Sequence, residues 1–104
     1  MELNVTLLNF LSYTDKKTGE PMIRIGYISN DKVYIKNTKS MKGYSELSVF
    51  VNDKDGLYDK LKVEMTGDTA ILVFDRKPNP YNPIRDMLVL KEIRTNKHGN
   101  ISLL

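Results

Sequence analysis

The sequence contains no cysteine, no tryptophan and only one histidine among its 104 residues. The lack of cysteine excludes disulfides, thiol nucleophiles and thiolate metal ligands, and it agrees with a reducing, cytoplasmic location. No apolar run approaches the roughly 18 residues that a membrane-spanning helix needs, so we expect no membrane association. The first eleven residues contain no lysine or arginine, and polar residues interrupt their apolar run, so we expect no signal peptide.

Motifs for catalysis and for metal or cofactor binding are also missing. A general acid–base site usually holds a histidine or a carboxylate in a pocket, and the single histidine, His98, lies near the end of the chain. Asp53, Asp55 and Asp59 surround Gly56 but lack the spacing and the glutamate of a calcium-binding EF-hand loop. There is no phosphate-binding loop, dinucleotide-binding glycine pattern or nucleophile elbow. We therefore expect a protein that is not an enzyme and that uses no metal ion or cofactor.

The sequence does contain a series of short segments with the character of β-strands, separated by turn residues at intervals of roughly 8–15 residues. These segments are residues 3–11, 22–28, 33–36, 46–51, 62–65, 70–74 and 87–93. Leu57 and Leu61 have the spacing of one helical turn. The pattern predicts an all-β domain over residues 1–94, a small OB-like or SH3-like barrel of five to six antiparallel strands with at most one short helical turn. We expect residues 95–104 to fray, and Leu11 to share the buried face of the first strand with Leu3, Val5 and Leu7.

Two tyrosines are predicted to lie opposite each other in a tight hairpin. Asn30 and Asp31 separate residues 22–28 from residues 33–36, and such residues adopt the left-handed conformations of a two-residue turn. The resulting register places Tyr27 and Tyr34 on one face together with Lys36. If this face is exposed, the rings can stack on nucleic-acid bases; in the structural interpretation they only stabilise the hairpin. The opposite orientation would expose the branched side chains of Ile28, Val33 and Ile35, which disfavours it.

Positive charge is concentrated in two blocks of the sequence. Residues 32–42 carry four basic and no acidic residues, and residues 76–97 carry six basic and two acidic residues, whereas the net charge of the chain is only +3. Lys16 and Lys17 add a basic tip to the predicted first hairpin. Such segregation is typical of a fold with one anion-binding side. The alternative is that these charges only keep a flexible connection and a proline-rich spacer solvated.

The layout of these features resembles that of a known family. A long first hairpin with the sequence Ser12-Tyr13-Thr14-Asp15-Lys16-Lys17-Thr18-Gly19, a tight second hairpin, a helical turn and a final pair of strands joined by a basic loop follow in this order over residues 3–93. This order resembles the small OB-fold single-stranded-DNA-binding proteins of phages and mobile elements. The resemblance implies largely sequence-independent binding of single-stranded DNA in preference to RNA, a homodimer, and the host cytoplasm as location if the chain is phage-encoded. Because tryptophan is absent, tyrosine and phenylalanine would have to stack on the bases.

The candidate nucleic-acid-binding residues combine the basic and the tyrosine side chains of these segments. They are Lys16, Lys17, Arg24, Tyr27, Tyr34, Lys36, Lys39, Lys42, Tyr44, Arg76, Lys77, Tyr81 and Arg85. Two alternatives remain open. The chain could be a protein-interaction module of a phage or mobile element that binds no nucleic acid, or a subunit of a larger assembly in which edge strands pair between copies.

Overall fold

A computed structural model of the chain describes residues 1–30, 46–82, 84 and 86–103, and within them six antiparallel strands form one sheet. One helical turn and one 3₁₀ turn, Val63–Met65, connect the third and fourth strands. The elements are β1 (Glu2–Thr14), β2 (Pro21–Ser29), β3 (Glu46–Asn52), α1 (Leu57–Lys60), β4 (Thr69–Pro78), β5 (Asp86–Thr95) and β6 (Asn100–Ser102). The prediction of an all-β, antiparallel fold of five to six strands is confirmed.

The strand order is β3-β2-β1-β4-β5-β6, with β1 and β4 at the centre. Within the described part of the chain β3 and β6 lie at opposite edges and do not pair, so the sheet is open and only loosely barrel-like. No helix among these residues is long and apolar enough to cross a membrane.

A β-bulge in β1 determines which side chains face outward. Leu7 pairs with Tyr27 and Asn9 pairs with Gly26, so Leu8 is an extra residue that has no direct partner on β2. An extra residue inverts the alternation of faces beyond it. Leu11 therefore points away from the core and is 50% exposed, and the prediction that it shares the face of Leu7 is wrong.

The core lies against one face of the sheet and is covered by the connection between β3 and β4. Its strand residues are Val5, Leu7, Ile23, Ile25, Tyr27, Ala70, Leu72, Phe74, Leu90, Ile93 and Ile101. Leu57, Leu61 and Met65 from the helical connection complete it. The prediction of a strand at residues 62–65 is wrong, because the Met65 amide donates to the Lys62 carbonyl and the Thr66 amide to the Val63 carbonyl, which closes a 3₁₀ turn.

The strand pairing of β2 differs from the predicted hairpin. Residues 21–29 pair with β1 on one edge, and residues 22–28 pair with β3 on the other. Both hydrogen-bonding edges of β2 are therefore occupied, and the predicted pairing of residues 25–28 with residues 33–36 is wrong. Residues 33–36 themselves lie outside the described part of the chain.

Two further corrections concern the second half of the chain. β4 continues through Pro78, so Arg76 and Lys77 lie on a strand and the loop starts only at Asn79. β6 pairs with β5 through Ile101 opposite Ile93, and Ile101 is only 9% exposed. The expected fraying of the C-terminal segment is therefore wrong for Asn100–Ser102.

Candidate nucleic-acid interface

The outer face of β1, β2 and β3, opposite to the core, carries large apolar side chains. Leu11, Arg24 and Phe50 form one row across the three strands, because Arg24 pairs with Leu11 on one side and with Phe50 on the other. Leu11 is 50% exposed and Phe50 is 55% exposed. Burial in the core accounts for neither side chain, so this row is the candidate interaction surface among the described residues.

Tyr13 and Phe50 form an aromatic pair on this face. Their ring centroids are 6.3 Å apart and the ring planes meet at 85°, an edge-to-face arrangement. Tyr13 lies on β1 and Phe50 on β3, so the two rings approach each other over β2. Edge-to-face packing holds each ring in a defined orientation. We call Tyr13 and Phe50 the aromatic pair below.

Arg24 supplies a positive charge beside Phe50, its neighbour on β3. It lies on β2, and its side chain is 39% exposed. The Nη2 atom lies 3.7 Å from Oε1 of Glu46, whose side chain is 50% exposed. An ion pair this long and this exposed is worth little, because solvent screens both charges. The guanidinium therefore remains accessible to an anion such as a phosphate.

The β1–β2 hairpin tip, residues 15–20, follows directly after Tyr13 and Thr14. Its geometry comes from Asp15, whose Oδ1 accepts a hydrogen bond of 2.8 Å from the Lys17 amide, and from Gly19 at φ 73°. Lys16 and Lys17 are exposed, as expected for cations that contact a ligand. Asp15 and Glu20 offset their charge, so the tip contributes positive side chains but no net charge.

Tyr27 is a correction to the predicted interface. Its ring faces the core, is only 7% exposed and lies between Leu7 of β1 and Leu47 of β3. Burial raises the pKa of its phenol. The face of β2 that carries Tyr27 was predicted to be exposed, but it is the buried face. Tyr27 therefore cannot stack on a base. The other predicted tyrosines and cations of this region, Tyr34, Lys36, Lys39, Lys42 and Tyr44, lie outside the described residues, as does Arg85.

Arg76, Lys77 and Tyr81 are exposed but lie at the other end of the sheet. β4 pairs with the start of β1 through Val73 and Glu2, and Arg76 and Lys77 lie beyond that point. From Glu2 to Leu11, β1 covers roughly 30 Å at about 3.3 Å per residue. Tyr81, 95% exposed, belongs to the loop that follows. The strand register does not bring these residues together with the aromatic pair.

The sequence already contains a signal for the residues that the prediction missed. In β3 the side chains of Leu47, Val49 and Val51 face the core. Phe50 therefore shares the other face with the polar residues Glu46, Ser48 and Asn52. A phenylalanine on an otherwise polar strand face is therefore the feature that could have singled out Phe50 as a candidate. Tyr13 and Leu11 carry no such signal, because the bulge at Leu8 inverts their face.

His98 lies apart from these residues, beside a shallow cavity of about 270 Å³ between the turn that precedes β4 and the end of β5. Its Nε2 atom is 3.9 Å from Oδ2 of Asp68, and both side chains are about one third exposed. Among the described residues no cluster of three or more histidine, aspartate or glutamate side chains could hold a metal ion.

Comparison of the chain with protein-family models, with curated protein sequences and with solved structures finds no match in any of the three.

Proposed function

We propose that this protein binds single-stranded DNA, largely independently of sequence, on the outer face of β1, β2 and β3. The observation that carries this proposal is the aromatic pair next to Arg24, in which Phe50 is 55% exposed. Proteins that bind single strands combine aromatic faces, on which bases stack, with cations that contact the phosphates. The face offers both, with Lys16 and Lys17 at the neighbouring hairpin tip.

Stacking would provide a large part of the affinity. Each stacked base is worth about 1–3 kcal/mol in alanine substitutions. Two bases on Phe50 and Tyr13 would therefore account for about 2–6 kcal/mol, whereas exposed cations act mainly through release of counterions. Double-stranded DNA fits poorly, because its bases are already stacked and α1 is only four residues long, too short to fill a major groove.

The arrangement of the sheet agrees with this assignment. An OB-fold is a partly open, five-stranded Greek-key barrel that binds oligonucleotides on its second and third strands and on the loops that follow the first and fourth strands. Here the order β3-β2-β1-β4-β5, with a helical connection between β3 and β4, is compatible with such a fold. The aromatic pair and Arg24 lie on β1, β2 and β3. A cytoplasmic location and a preference for DNA over RNA are part of the proposal.

Salt dependence is the first test of the proposal. Neutralisation of three phosphates by Lys16, Lys17 and Arg24 would give a slope of about −2 for log affinity against log salt, at about −0.7 per contact. Five contacts, which would include cations of residues 31–45, would give about −3.5. A titration of a labelled oligo-dT and of a duplex of equal length at two salt concentrations measures this slope. We expect the single strand to bind more tightly, with a slope between these values.

A substitution on the face tests whether stacking is responsible. Phe50→Ala should weaken binding of oligo-dT about 5–150-fold, the equivalent of about 1–3 kcal/mol. Tyr58→Ala is the matched control, because Tyr58 is an exposed ring, at 39%, on α1 rather than on the face. The proposal would be contradicted if both variants bound oligo-dT as tightly as the parent. A slope of log affinity against log salt near zero would contradict it as well. Binding of neither oligomer would favour the protein-interaction module instead.

A further inference from the structure

The last four residues of β4, residues 75–78, pair with β5 on one side and with no strand on the other, within the described part of the chain. The pairing with β1 ends at Met1. Its ammonium group donates to the Phe74 carbonyl at 3.0 Å, and the Phe74 amide donates to the Met1 carbonyl at 2.8 Å. We call the β1 side of residues 75–78 the outer edge of β4 below.

Two of these four residues point their backbone groups at the outer edge of β4. Both backbone groups of Phe74 point toward β1, and successive residues of an antiparallel strand point theirs to opposite sides. The extra residue at the β4–β5 bulge, Lys91, lies on β5, so this alternation continues along β4. Arg76 and Pro78 therefore present their backbone to the outer edge.

Neither residue offers an amide hydrogen to an added strand. The Arg76 amide donates to Oδ1 of Asp75 at 2.9 Å, and proline has no amide hydrogen. The outer edge of β4 therefore presents the carbonyls of Arg76 and Pro78 but no donor. Arg76 and Lys77 also place two exposed cations beside it. Proline and charged side chains are among the features that protect a strand edge from pairing.

The outer edge of β5, on the other side of the same hairpin, differs in this respect. Leu88 pairs with Arg76 and Leu90 pairs with Phe74, so both leucines point their backbone groups away from β4. Each has an amide hydrogen, and this edge therefore offers donors as well as acceptors. An antiparallel pairing with a second copy about Leu88 places Asp86 opposite Leu90 and brings no like charges together.

We infer that Asp75 and Pro78 close the outer edge of β4 to strand addition and confine pairing between copies of this chain to β5. A hairpin open on both sides would accept β5 of one copy on β4 of the next, a head-to-tail contact that grows into rings or filaments. With β4 closed, pairing through β5 ends at a dimer. The inference is independent of DNA binding, because residues 75–78 lie at the far end of the sheet from the aromatic pair.

The test opens the edge with Asp75→Ala and Pro78→Ala in one chain. The first substitution releases the Arg76 amide, and the second supplies an amide at position 78. We expect sedimentation without nucleic acid to show assemblies that grow with concentration, with an average mass at least about twofold that of the parent, because head-to-tail contacts join dimers. Leu88→Lys added to this double variant should abolish the larger assemblies, since their growth uses the edge of β5. Assemblies that persist with Leu88→Lys would overturn the inference.

Two single variants separate the hydrogen bond from the charge. Asp75→Asn keeps an oxygen acceptor for the Arg76 amide and should sediment like the parent. Asp59→Ala removes the same charge from the exposed surface of α1 and should do so as well. Larger assemblies in either variant would show that loss of charge is sufficient and would overturn the inference. A double variant that sediments like the parent, with the sheet retained in circular dichroism, would overturn it too.

Discussion

Tyr27 and Phe50 lie on neighbouring strands and face opposite sides of the sheet. The ring of Tyr27 is packed in the core between Leu7 and Leu47, whereas the ring of Phe50 is 55% exposed and contacts Tyr13. Residue type does not distinguish them. The face of the strand does, because side chains of adjacent strand residues point to opposite sides. Only the residue on the outer face is available to a ligand.

Tyr27→Ala should therefore act on stability. Truncation of a buried aromatic ring typically costs about 3–5 kcal/mol, the sum of lost burial and the cavity left behind. We expect a loss near the lower end of this range in urea denaturation, since the ring is not fully enclosed. Tyr58→Ala, which removes a partly exposed ring, should change stability by much less. A Tyr27→Ala protein as stable as the parent would place the ring outside the core.

Ionisation of the Tyr27 phenol should also make the free energy of unfolding depend on pH in the alkaline range. Burial raises the pKa of this group above its ordinary value, so the folded protein holds the proton more tightly than the unfolded chain does. The corresponding stabilisation is fully present below about pH 10 and is lost as pH rises through the raised pKa. In urea denaturation between about pH 8 and 11, stability of the parent should fall more steeply above pH 10 than that of Tyr27→Phe. The lysines titrate in both proteins, so parallel curves would show that Tyr27 does not contribute.

At the level of elements, local sequence patterns predicted the positions of most strands and the β1–β2 hairpin, but not the other pairing of β2. The first hairpin with its Lys16-Lys17 tip, β3 and the helical turn after Gly56 are close to their predicted positions. The bulge at Leu8 was not predicted, because an apolar residue there fits either face of an alternating pattern. The pairing of β2 with β3 was not predicted either, since β3 follows only after residues 31–45 and the shorter connection through Asn30 and Asp31 is the simpler one locally.

β6 is the element whose formation depends most on tertiary contacts. It has only three residues, and Ile101 is its one buried side chain. Nothing in so short a segment predicts a strand; pairing with β5 and burial against Ile93 create it. Short strands are stable only where a hydrophobic face is covered in this way.

Ile101→Ala should accordingly destabilise the protein by about 2 kcal/mol, the lower end for removal of a buried isoleucine side chain. Thermal or urea denaturation measures this change. Asn100→Ala is the control, because Asn100 is exposed on the same strand and its substitution should shift stability by no more than about 0.5 kcal/mol. Equal stability of the two variants would mean that the C-terminal segment frays, as its sequence had suggested.

The sequence predicted the type of candidate site but only some of its residues. Composition and layout predicted exposed aromatic rings beside cations on the early strands. Arg24, Lys16 and Lys17 are exposed or partly exposed close to the aromatic pair, whereas the predicted ring of Tyr27 belongs to the core. Arg76, Lys77 and Tyr81 lie at the far end of the sheet, because β4 runs antiparallel to β1 and extends beyond its start. The sequence does not reveal such an offset between strands.

At the scale of the whole molecule, the β4–β5 hairpin has unpaired strand edges, because β4 extends beyond the start of β1. β1 covers β4 only up to Phe74, and on β5 the C-terminal segment reaches back only as far as Lys91. Beyond these points neither strand has a second neighbour among the described residues. Met87 is 41% exposed and Leu88 is 47% exposed on opposite faces of β5. An unpaired edge with apolar side chains is a template for pairing with another strand.

We expect this edge to pair with its copy in a homodimer. An antiparallel pairing of residues 86–90 with the same residues of a second chain is two-fold symmetric about Leu88, so Leu88 meets its own counterpart and the contact closes on itself. Sedimentation of the protein without nucleic acid should show a dimer. Leu88→Lys should shift it to the monomer at unchanged stability, since it brings two like charges together across the axis. Val63→Lys, at a site 73% exposed on the 3₁₀ turn, should remain dimeric. A parent protein that is monomeric at every concentration would exclude this interface, and the strand edge would then have to be protected by the chain's own residues.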